Sequence, residues 1–382
     1  MVVVQLLTQF VTAVLGGYLA FSTHIVPSTH EHIHPEPTQQ QEIDADSGEA
    51  GTVHQGKLQV LHPEYEFGGA IPKILIESAE YQKAAVSDAA REVATATPTH
   101  LTLASTVEDA LVNIYCSYKT DSYERITTGT GFFINKNGVL LTNAHVAQFL
   151  LLSEAGGNIH DAHCFLRGGD PAEPLYKVEL LYISPIWVNA NVHVIAEEHP
   201  TGTGERDYAL LYVSEPIGNN ALPAEFPVLP TDSSLLSRYT SGTRVLAGGF
   251  PATADSIQNN SVILHPTIAS TTVGELYTFG SNYADVFDIS SSTVGARGSS
   301  GGPIVRSDGK AIGLIVTKGD SQKDGGHGLR AITLSYIDRT IREETGFSLI
   351  QNTSGDIAHR GAVFRKVLAP FLSRLLSDEL SS

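Results

Sequence analysis

Cysteine is scarce in this sequence: only Cys116 and Cys164 occur among its 382 residues. So small a number excludes a fold held together by a network of disulfides. Both residues lie in predicted strands, and in an oxidising compartment they could form one bridge. Two buried free thiols are the alternative, because a sequence does not give the distance between two Cα atoms.

Basic residues are also few. The chain has 24 Lys and Arg against 41 Asp and Glu, which gives a formal net charge of −17. A nucleic-acid partner would require a basic face, so we predict no nucleic-acid binding. The acidic balance favours solubility, and the hydrophobic fraction of 42% is enough for a sizeable core.

Residues 1–23 contain no charged side chain. Their length and apolar character suit a membrane anchor or a signal peptide, although the basic residues that usually open a signal peptide are missing. Ala20-Phe21-Ser22 would serve as a cleavage site. We therefore predict that residues 1–26 are an anchor or a signal, and that the protein is extracytoplasmic, either membrane-anchored or secreted.

Residues 27–100 begin with several prolines, many acids and few aliphatic side chains, which predicts a flexible linker. A helical spacing of apolar residues over residues 72–93 predicts one short helix within it. His30, His32 and His34 alternate, as metal-binding imidazoles can. Because they fall in a segment predicted to be disordered, we predict no metal site, and no cofactor.

After residue 100 a regular alternation of strands and helices is missing. Short strands separated by Gly, Pro and Asn turns predict an all-β barrel or sandwich. The predicted strands include residues 110–115, 178–183, 208–213, 244–247 and 311–316, with more between 261 and 289. One helix is predicted over residues 335–344.

Residues 346–382 form a predicted tail. Apolar residues recur at helical spacing over residues 361–380 with basic residues opposite, which predicts an amphipathic helix that Pro370 interrupts or restarts. Packing on its own domain is one role for such a helix. Binding to a membrane surface or to a second copy is the alternative.

Gly-Ser-Ser-Gly-Gly-Pro at residues 298–303 suits neither a helix nor a strand. Its glycines allow a tight loop whose N–H groups can point at one spot. A serine beside such donors is what acyl transfer requires, because the hydroxyl attacks and the donors stabilise the oxyanion. Ser300 is the candidate nucleophile.

Two other stretches complete the pattern. Residues 128–146 read as a β-hairpin around an Asn-Gly turn, with His145 just past the second strand. Asp207 opens a strand rich in Leu, Tyr and Val. The order His145, Asp207, Ser300 is one of the known orders of a serine triad. Asp161 and Asp170 lie nearer to His145 in the sequence, so the choice of Asp207 depends on order and motif.

These motifs resemble those of the trypsin-like (chymotrypsin-fold) serine peptidases. Thr-Asn-Ala-His-Val at residues 142–146 resembles the histidine motif of that family, Asp-Tyr-Ala-Leu-Leu at 207–211 its aspartate motif, and residues 298–303 its serine motif. Gly-Thr-Gly-Phe-Phe-Ile at 129–134 is most similar to the bacterial Deg/Htr branch. The resemblance implies a peptidase domain over residues 101–345, built from two six-stranded antiparallel β-barrels with the active site between them.

The resemblance also implies roles for these residues. Ser300 would attack the peptide bond, His145 would transfer the proton, and Asp207 would orient the imidazole. The N–H groups of Gly298 and Ser300 would form the oxyanion hole. The expected activity is that of a serine endopeptidase, which acts on protein or peptide substrates through an acyl-enzyme.

The sequence departs from relatives of this family in two respects. Trypsin-type zymogens are activated when a new N-terminus pairs with an Asp just before the nucleophile, and Ser299 stands at that position. This activation switch should therefore be absent. Too little chain follows residue 345 for the PDZ module that many Deg peptidases carry.

By resemblance, the specificity pocket has its base at Val294 and its walls at Ile315, Val316 and Thr317. None of these side chains carries a charge, and a pocket without a carboxylate cannot stabilise Lys or Arg. We therefore predict a small or medium apolar residue before the scissile bond.

Two alternative functions follow from the same residues. Residues 298–302 also fit the Gly-x-Ser-x-Gly elbow of α/β-hydrolases, but that elbow leads into a helix, whereas a strand is predicted here. The second alternative is a catalytically silent peptidase-like binding module tethered to the cell envelope. The presence of all three triad residues weighs against it.

Overall fold

The computed structural model describes residues 59–60, 100–121, 123–154, 159–197, 204–252, 256–258, 261–290, 293–295, 297–318 and 329–381. The predicted anchor or signal of residues 1–26, the three alternating histidines and the predicted helix of residues 72–93 lie outside these ranges. Almost all of the predicted linker does as well. The described part begins with a two-residue strand, β1 (Gln59–Val60), and helix α1 (His100–Ala110).

The first barrel consists of six antiparallel strands that close on themselves in the order β2-β3-β4-β7-β6-β5. Their bounds are β2 Leu111–Lys119, β3 Glu124–Asn135, β4 Val139–Thr142, β5 His160–Gly168, β6 Glu173–Ile183 and β7 Ala209–Pro216. Apolar side chains from all six strands share one buried cluster that fills the interior. Ile114, Leu140, Leu166 and Leu211 are fully buried there.

One disulfide joins two neighbouring strands of this barrel. Cys116 on β2 is the direct partner of Cys164 on β5, and the two form a disulfide. The alternative of two free thiols therefore does not apply to this structure.

The second barrel is also a closed ring of six antiparallel strands. They are β8 Arg244–Gly249, β11 Thr267–Thr278, β12 Val286–Ile289, β13 Pro303–Arg306, β14 Ala311–Lys318 and β15 Leu329–Thr333. The ring closes because β8 pairs with both β11 and β13. Between β8 and β11 a small hairpin forms from β9 (Ile257–Gln258) and β10 (Ser261–Val262), and β1 pairs with β11. The prediction of two six-stranded antiparallel barrels is confirmed.

Helical segments connect and follow the barrels. They are α2 Ala144–Ala147, α3 Pro185–Ala190, α4 Leu334–Thr345, α5 Leu349–Asn352, α6 Ile357–Val367 and α7 Ala369–Leu380, with 3-10 turns at Gln148–Glu154, Val192–Ile195 and Arg238–Thr240. Helix α4 covers the predicted helix of residues 335–344. The strand predicted from residue 110 begins one residue later, because Ala110 is still the last residue of α1.

The tail packs on the first barrel. Phe364 of α6 and Leu372 and Leu376 of α7 are buried in the same apolar cluster as the interior of that barrel. Pro370 lies in the first turn of α7. Backbone N–H groups in the first turn have no partner within the helix, so the missing N–H of proline costs no hydrogen bond there. Within the described ranges, no helix combines the length and the apolar character that crossing a membrane requires.

Candidate active site

His145 and Asp207 form a buried, doubly hydrogen-bonded pair. The Nδ1 atom of His145 lies 2.7 Å from Oδ2 of Asp207, and the backbone N–H of His145 donates to Oδ1 at 2.9 Å. The exposed fractions of the two residues are 4% and 0%. A carboxylate acceptor at Nδ1 places the ring proton on that nitrogen and leaves Nε2 as the proton acceptor of the imidazole.

Strand pairing brings these two residues together. Thr142 at the end of β4 is the partner of Ala209 at the start of β7, so the residues just after β4 and just before β7 lie side by side. Asn143 caps the short helix α2, and its amide donates to the carbonyl oxygen of Asp207 at 2.8 Å. The histidine and aspartate motifs are therefore neighbours because β4 and β7 pair with each other.

The two acidic residues nearer in sequence have other partners. Asp161 lies 3.6 Å from the amine of Lys119, and Asp170 lies 2.5 Å from Nδ1 of His265. Both carboxylates are largely exposed. Neither contacts His145 among the described residues.

The loop of Ser300 depends on two glycines in left-handed conformations. Gly298 has φ +87° and Gly301 has φ +89°, values that residues with a Cβ rarely adopt. A Cβ on Gly298 would lie 2.5 Å from the carbonyl oxygen of Phe250, and one on Gly301 would lie 1.9 Å from that of Thr130. No larger residue fits at either position without moving the backbone.

Two hydrogen bonds attach this loop to the first barrel, and a third supports them from within that barrel. The N–H of Thr130 donates to the carbonyl oxygen of Ser300 at 2.8 Å, and its hydroxyl donates to that of Gly298 at 2.6 Å. The hydroxyl of Thr142 in turn donates to the carbonyl oxygen of Thr130 at 2.7 Å. These contacts place Ser300, a half-buried residue of the second barrel, beside β3 and β4, the two strands that precede His145. Its hydroxyl makes no hydrogen bond to His145 in the described part of the chain.

Three N–H groups of the loop have no acceptor among the described residues. They are those of Gly298, Ser299 and Ser300, whereas the N–H of Gly301 donates to the carbonyl oxygen of Ile315 at 2.9 Å. Unused donors at a nucleophile and just before it are what an oxyanion requires. Two of the three, Gly298 and Ser300, are the residues that the resemblance assigns to the oxyanion hole.

The residues predicted to form the specificity pocket are buried. Val294, Ile315 and Val316 have exposed fractions of 0%, 1% and 1%. Val294 and Ile315 belong to the core of the second barrel, and Val316 to a cluster that draws side chains from both barrels. Thr317 continues β14. The hydrogen bond from Gly301 brings Ile315 next to the Ser300 loop, but the side chains of Val294, Ile315 and Val316 present almost no exposed surface.

Ser299 is also buried, with an exposed fraction of 1%, and its hydroxyl has no hydrogen-bond partner among the residues that the structure describes. It occupies the position at which the resemblance would place the Asp of the activation switch. A neutral hydroxyl here cannot form the ion pair with a new N-terminus that the switch requires.

Sequence reasoning missed the supporting residues. The hydroxyl of Thr130 both donates to Gly298 and accepts from the N–H of Phe250 at 3.0 Å. Thr130 lies within the motif at residues 129–134, and Thr142 and Asn143 lie within the histidine motif. The motifs therefore marked these positions, but gave no partner for their side chains.

A family model and a solved structure match this chain. A family model described as a trypsin-like peptidase domain matches residues 129–314. A solved structure of the Rv3671c protease from M. tuberculosis, in its active form, matches with a TM-score of 0.39 and 18% identity over 66% of this chain and 89% of that chain. No curated protein matches in a sequence search. The two closed six-stranded barrels show a chymotrypsin-like fold, and the family model matches just under half of the chain, from β3 to β14.

Proposed function

We propose that this protein is a serine endopeptidase whose triad is Ser300, His145 and Asp207. The observation that carries the proposal is the hydrogen bond of 2.7 Å between Nδ1 of the buried His145 and Asp207. This hydrogen bond leaves Nε2 of His145 available as a base. His145 belongs to the first barrel, and Thr130 attaches the Ser300 loop to that same barrel. A histidine held in this way is what activates a serine hydroxyl.

The proposed reaction has two halves. The Ser300 hydroxyl attacks the carbonyl carbon of the scissile bond, Nε2 of His145 takes its proton, and Asp207 stabilises the imidazolium. The N–H groups of Gly298 and Ser300 stabilise the negative oxygen. His145 then protonates the leaving amine, and water hydrolyses the acyl-enzyme with His145 again as the base.

The specificity that we propose is for a small or medium apolar residue before the scissile bond. It is supported by the uncharged side chains of Val294, Ile315, Val316 and Thr317, since no carboxylate among them could stabilise a cation. A panel of peptide substrates that differ only at this residue tests it. A clear preference for Lys or Arg would contradict it.

The remaining parts of the proposal come from the sequence. The motif at residues 129–134 supports a Deg/Htr-like peptidase, and the apolar residues 1–26 support an extracytoplasmic enzyme that is membrane-anchored or secreted. Because Ser299 replaces the Asp of the activation switch, the full chain should be active without cleavage at its N-terminus.

The test is labelling of the purified full-length chain with a fluorophosphonate, beside Ser300→Ala and His145→Ala. Labelling at Ser300 that is lost in both variants is the expected result. A folded wild-type protein that takes up no label would favour the alternative, a catalytically silent peptidase-like binding module tethered to the cell envelope. Circular dichroism of each variant establishes that it is folded.

A further inference from the structure

Helix α4 contacts the segment just before Asp207 at several points. The guanidinium of Arg206 forms ion pairs with Glu344, and with Glu343 at 3.0 Å. The backbone N–H of Arg206 donates to the hydroxyl of Tyr336 on the same helix at 3.1 Å. Both the side chain and the backbone of Arg206 are therefore attached to α4.

The carboxylate of Glu344 differs from that of Glu343 in its surroundings. It is only 9% exposed, against 60% for Glu343. The hydroxyl of Tyr182 donates to Glu344 at 2.7 Å, and the hydroxyl of Ser184 donates at 2.9 and 3.0 Å. A buried carboxylate with this many donors holds its partner far more firmly than an exposed one does.

The electrostatics of Arg206 reflect this environment. Burial alone would lower the pKa of its guanidinium, but the neighbouring Glu344 and Glu343 carboxylates raise that pKa above the ordinary value. Arg206 therefore stays charged at neutral pH.

The residue on the other side of Asp207 is attached to the same helix. The hydroxyl of Tyr208 lies 2.8 Å from that of Thr340. Arg206 itself has φ +55°, a left-handed conformation that is strained for arginine and persists only where the surroundings impose it. Asp207 thus lies between two residues that α4 fixes.

We propose that Glu344 is a positioning residue for the reaction, which acts through Arg206 to hold Asp207 against His145. The inference rests on the proposed function of the Asp207–His145 pair. Helix α4 directly follows β15, a strand of the second barrel. The second barrel also provides Ser300. The contact therefore fixes the aspartate of one barrel relative to the nucleophile of the other.

Glu344→Gln tests this, because it keeps the shape of the side chain and removes the charge that binds Arg206. Glu343→Gln removes the exposed partner of the same guanidinium and is the matched control. We expect Glu344→Gln to lower kcat by about tenfold with little change in KM, as a small misplacement of a catalytic group does. Glu343→Gln should stay within about twofold of the wild type, as expected for a surface ion pair.

A second readout does not depend on catalysis. The proton between His145 Nδ1 and Asp207 gives a low-field resonance in proton NMR, which Asp207→Asn assigns by removing it. We expect Glu344→Gln to shift or broaden this resonance and Glu343→Gln to leave it unchanged. If the wild type takes up no fluorophosphonate, the proposed function fails, and this resonance still decides whether Glu344 positions Asp207.

Arg206→Gln breaks the same link from the other end and replaces Glu344→Gln if that variant does not fold. The double variant should lose no more activity than either single variant, because both remove one interaction. A Glu344→Gln protein with a lower melting temperature but unchanged kcat and an unchanged resonance would overturn the proposal, since the residue would then serve only stability.

Discussion

The hydroxyl of Thr130 donates a hydrogen bond of 2.6 Å to the carbonyl oxygen of Gly298, a residue 168 positions further along the chain. The same oxygen of Thr130 accepts from the N–H of Phe250. One side chain of the first barrel therefore satisfies two backbone groups of the second, one of them within the loop of the candidate nucleophile.

Thr130→Val keeps the shape of this side chain and removes its hydroxyl. We expect a loss of about 1–3 kcal/mol in the free energy of unfolding, because two buried backbone groups lose their partner. The rate of fluorophosphonate labelling should fall by about tenfold or more, since the oxyanion donors would lose their fixed orientation. Thr130→Ser retains the hydroxyl and should stay near the wild type; equal losses in both variants would contradict this role.

Asp207→Asn should lower kcat by about 10⁴-fold, because an amide no longer fixes the imidazole tautomer or stabilises its protonated form. Asp170→Asn is the control, since Asp170 is 60% exposed and bound to His265. Steady-state kinetics on one peptide substrate compares them. An inactive Asp170→Asn protein beside a normal Asp207→Asn protein would show that Asp207 is the wrong carboxylate.

Gly301→Ala should destabilise the protein by about 3 kcal/mol or more and abolish labelling, because its Cβ would overlap the carbonyl oxygen of Thr130. Gly280→Ala is the control, because it replaces a glycine that also has a positive φ without creating an overlap. Gly280 has φ +104°, but its Cβ would meet nothing within 4 Å, so about 1–2 kcal/mol is expected. Urea unfolding measures both values, and equal losses would show that the overlap is relieved.

Removing the disulfide should lower stability without changing the chemistry. Its two cysteines are 48 positions apart in sequence, and closing a loop of that length contributes about 3–4 kcal/mol. We expect the Cys116→Ser, Cys164→Ser double variant to unfold at lower urea concentration and to label at the normal rate when folded. A reducing agent should destabilise the wild type only.

The alkaline limit of stability should depend on Tyr208. Burial first, and then the nearby Glu344 carboxylate, raise the pKa of its phenol well above the ordinary value of 10.0. Above pH 10 the unfolded chain loses this proton while the folded chain keeps it, so the stability that the raised pKa contributes is complete below pH 10 and declines as pH rises towards the folded value.

Tyr208→Phe removes this titration. Its free energy of unfolding should fall less steeply above pH 10 than that of the wild type, by about 1.4 kcal/mol per pH unit. Urea titrations between pH 9 and about pH 11 would measure both slopes. Parallel slopes would contradict the assignment of the raised pKa to Tyr208.

The sequence was most informative where chemistry requires a local pattern. The turn at residues 135–138 predicts the hairpin of β3 and β4, and the motifs of His145 and Asp207 each end or begin a strand. Their adjacency in the structure follows from the pairing of β4 with β7. The number of strands in each barrel came from the family resemblance, because short strands alone fit a sandwich equally well.

The contacts that support the site are beyond such reasoning because they join distant positions. Arg206 and Glu344 are 138 positions apart, and nothing in either neighbourhood predicts their ion pair. The pairing of Cys116 with Cys164 likewise stayed open, since it depends on the register of β2 against β5. Val294, Ile315 and Val316, which the resemblance assigns to the pocket, are core residues in this structure, and composition alone does not distinguish core residues from pocket walls.

Because the tail packs on the first barrel, the packing of that barrel can be completed only after α7 has been synthesised. Leu372 and Leu376 complete the apolar interior that the strands around His145 and Asp207 share, yet the ribosome makes them after the whole second barrel. A nascent chain that ends before α7 therefore leaves the half with the candidate base unfinished. Such a chain would lack a fully packed candidate base until synthesis had passed this helix.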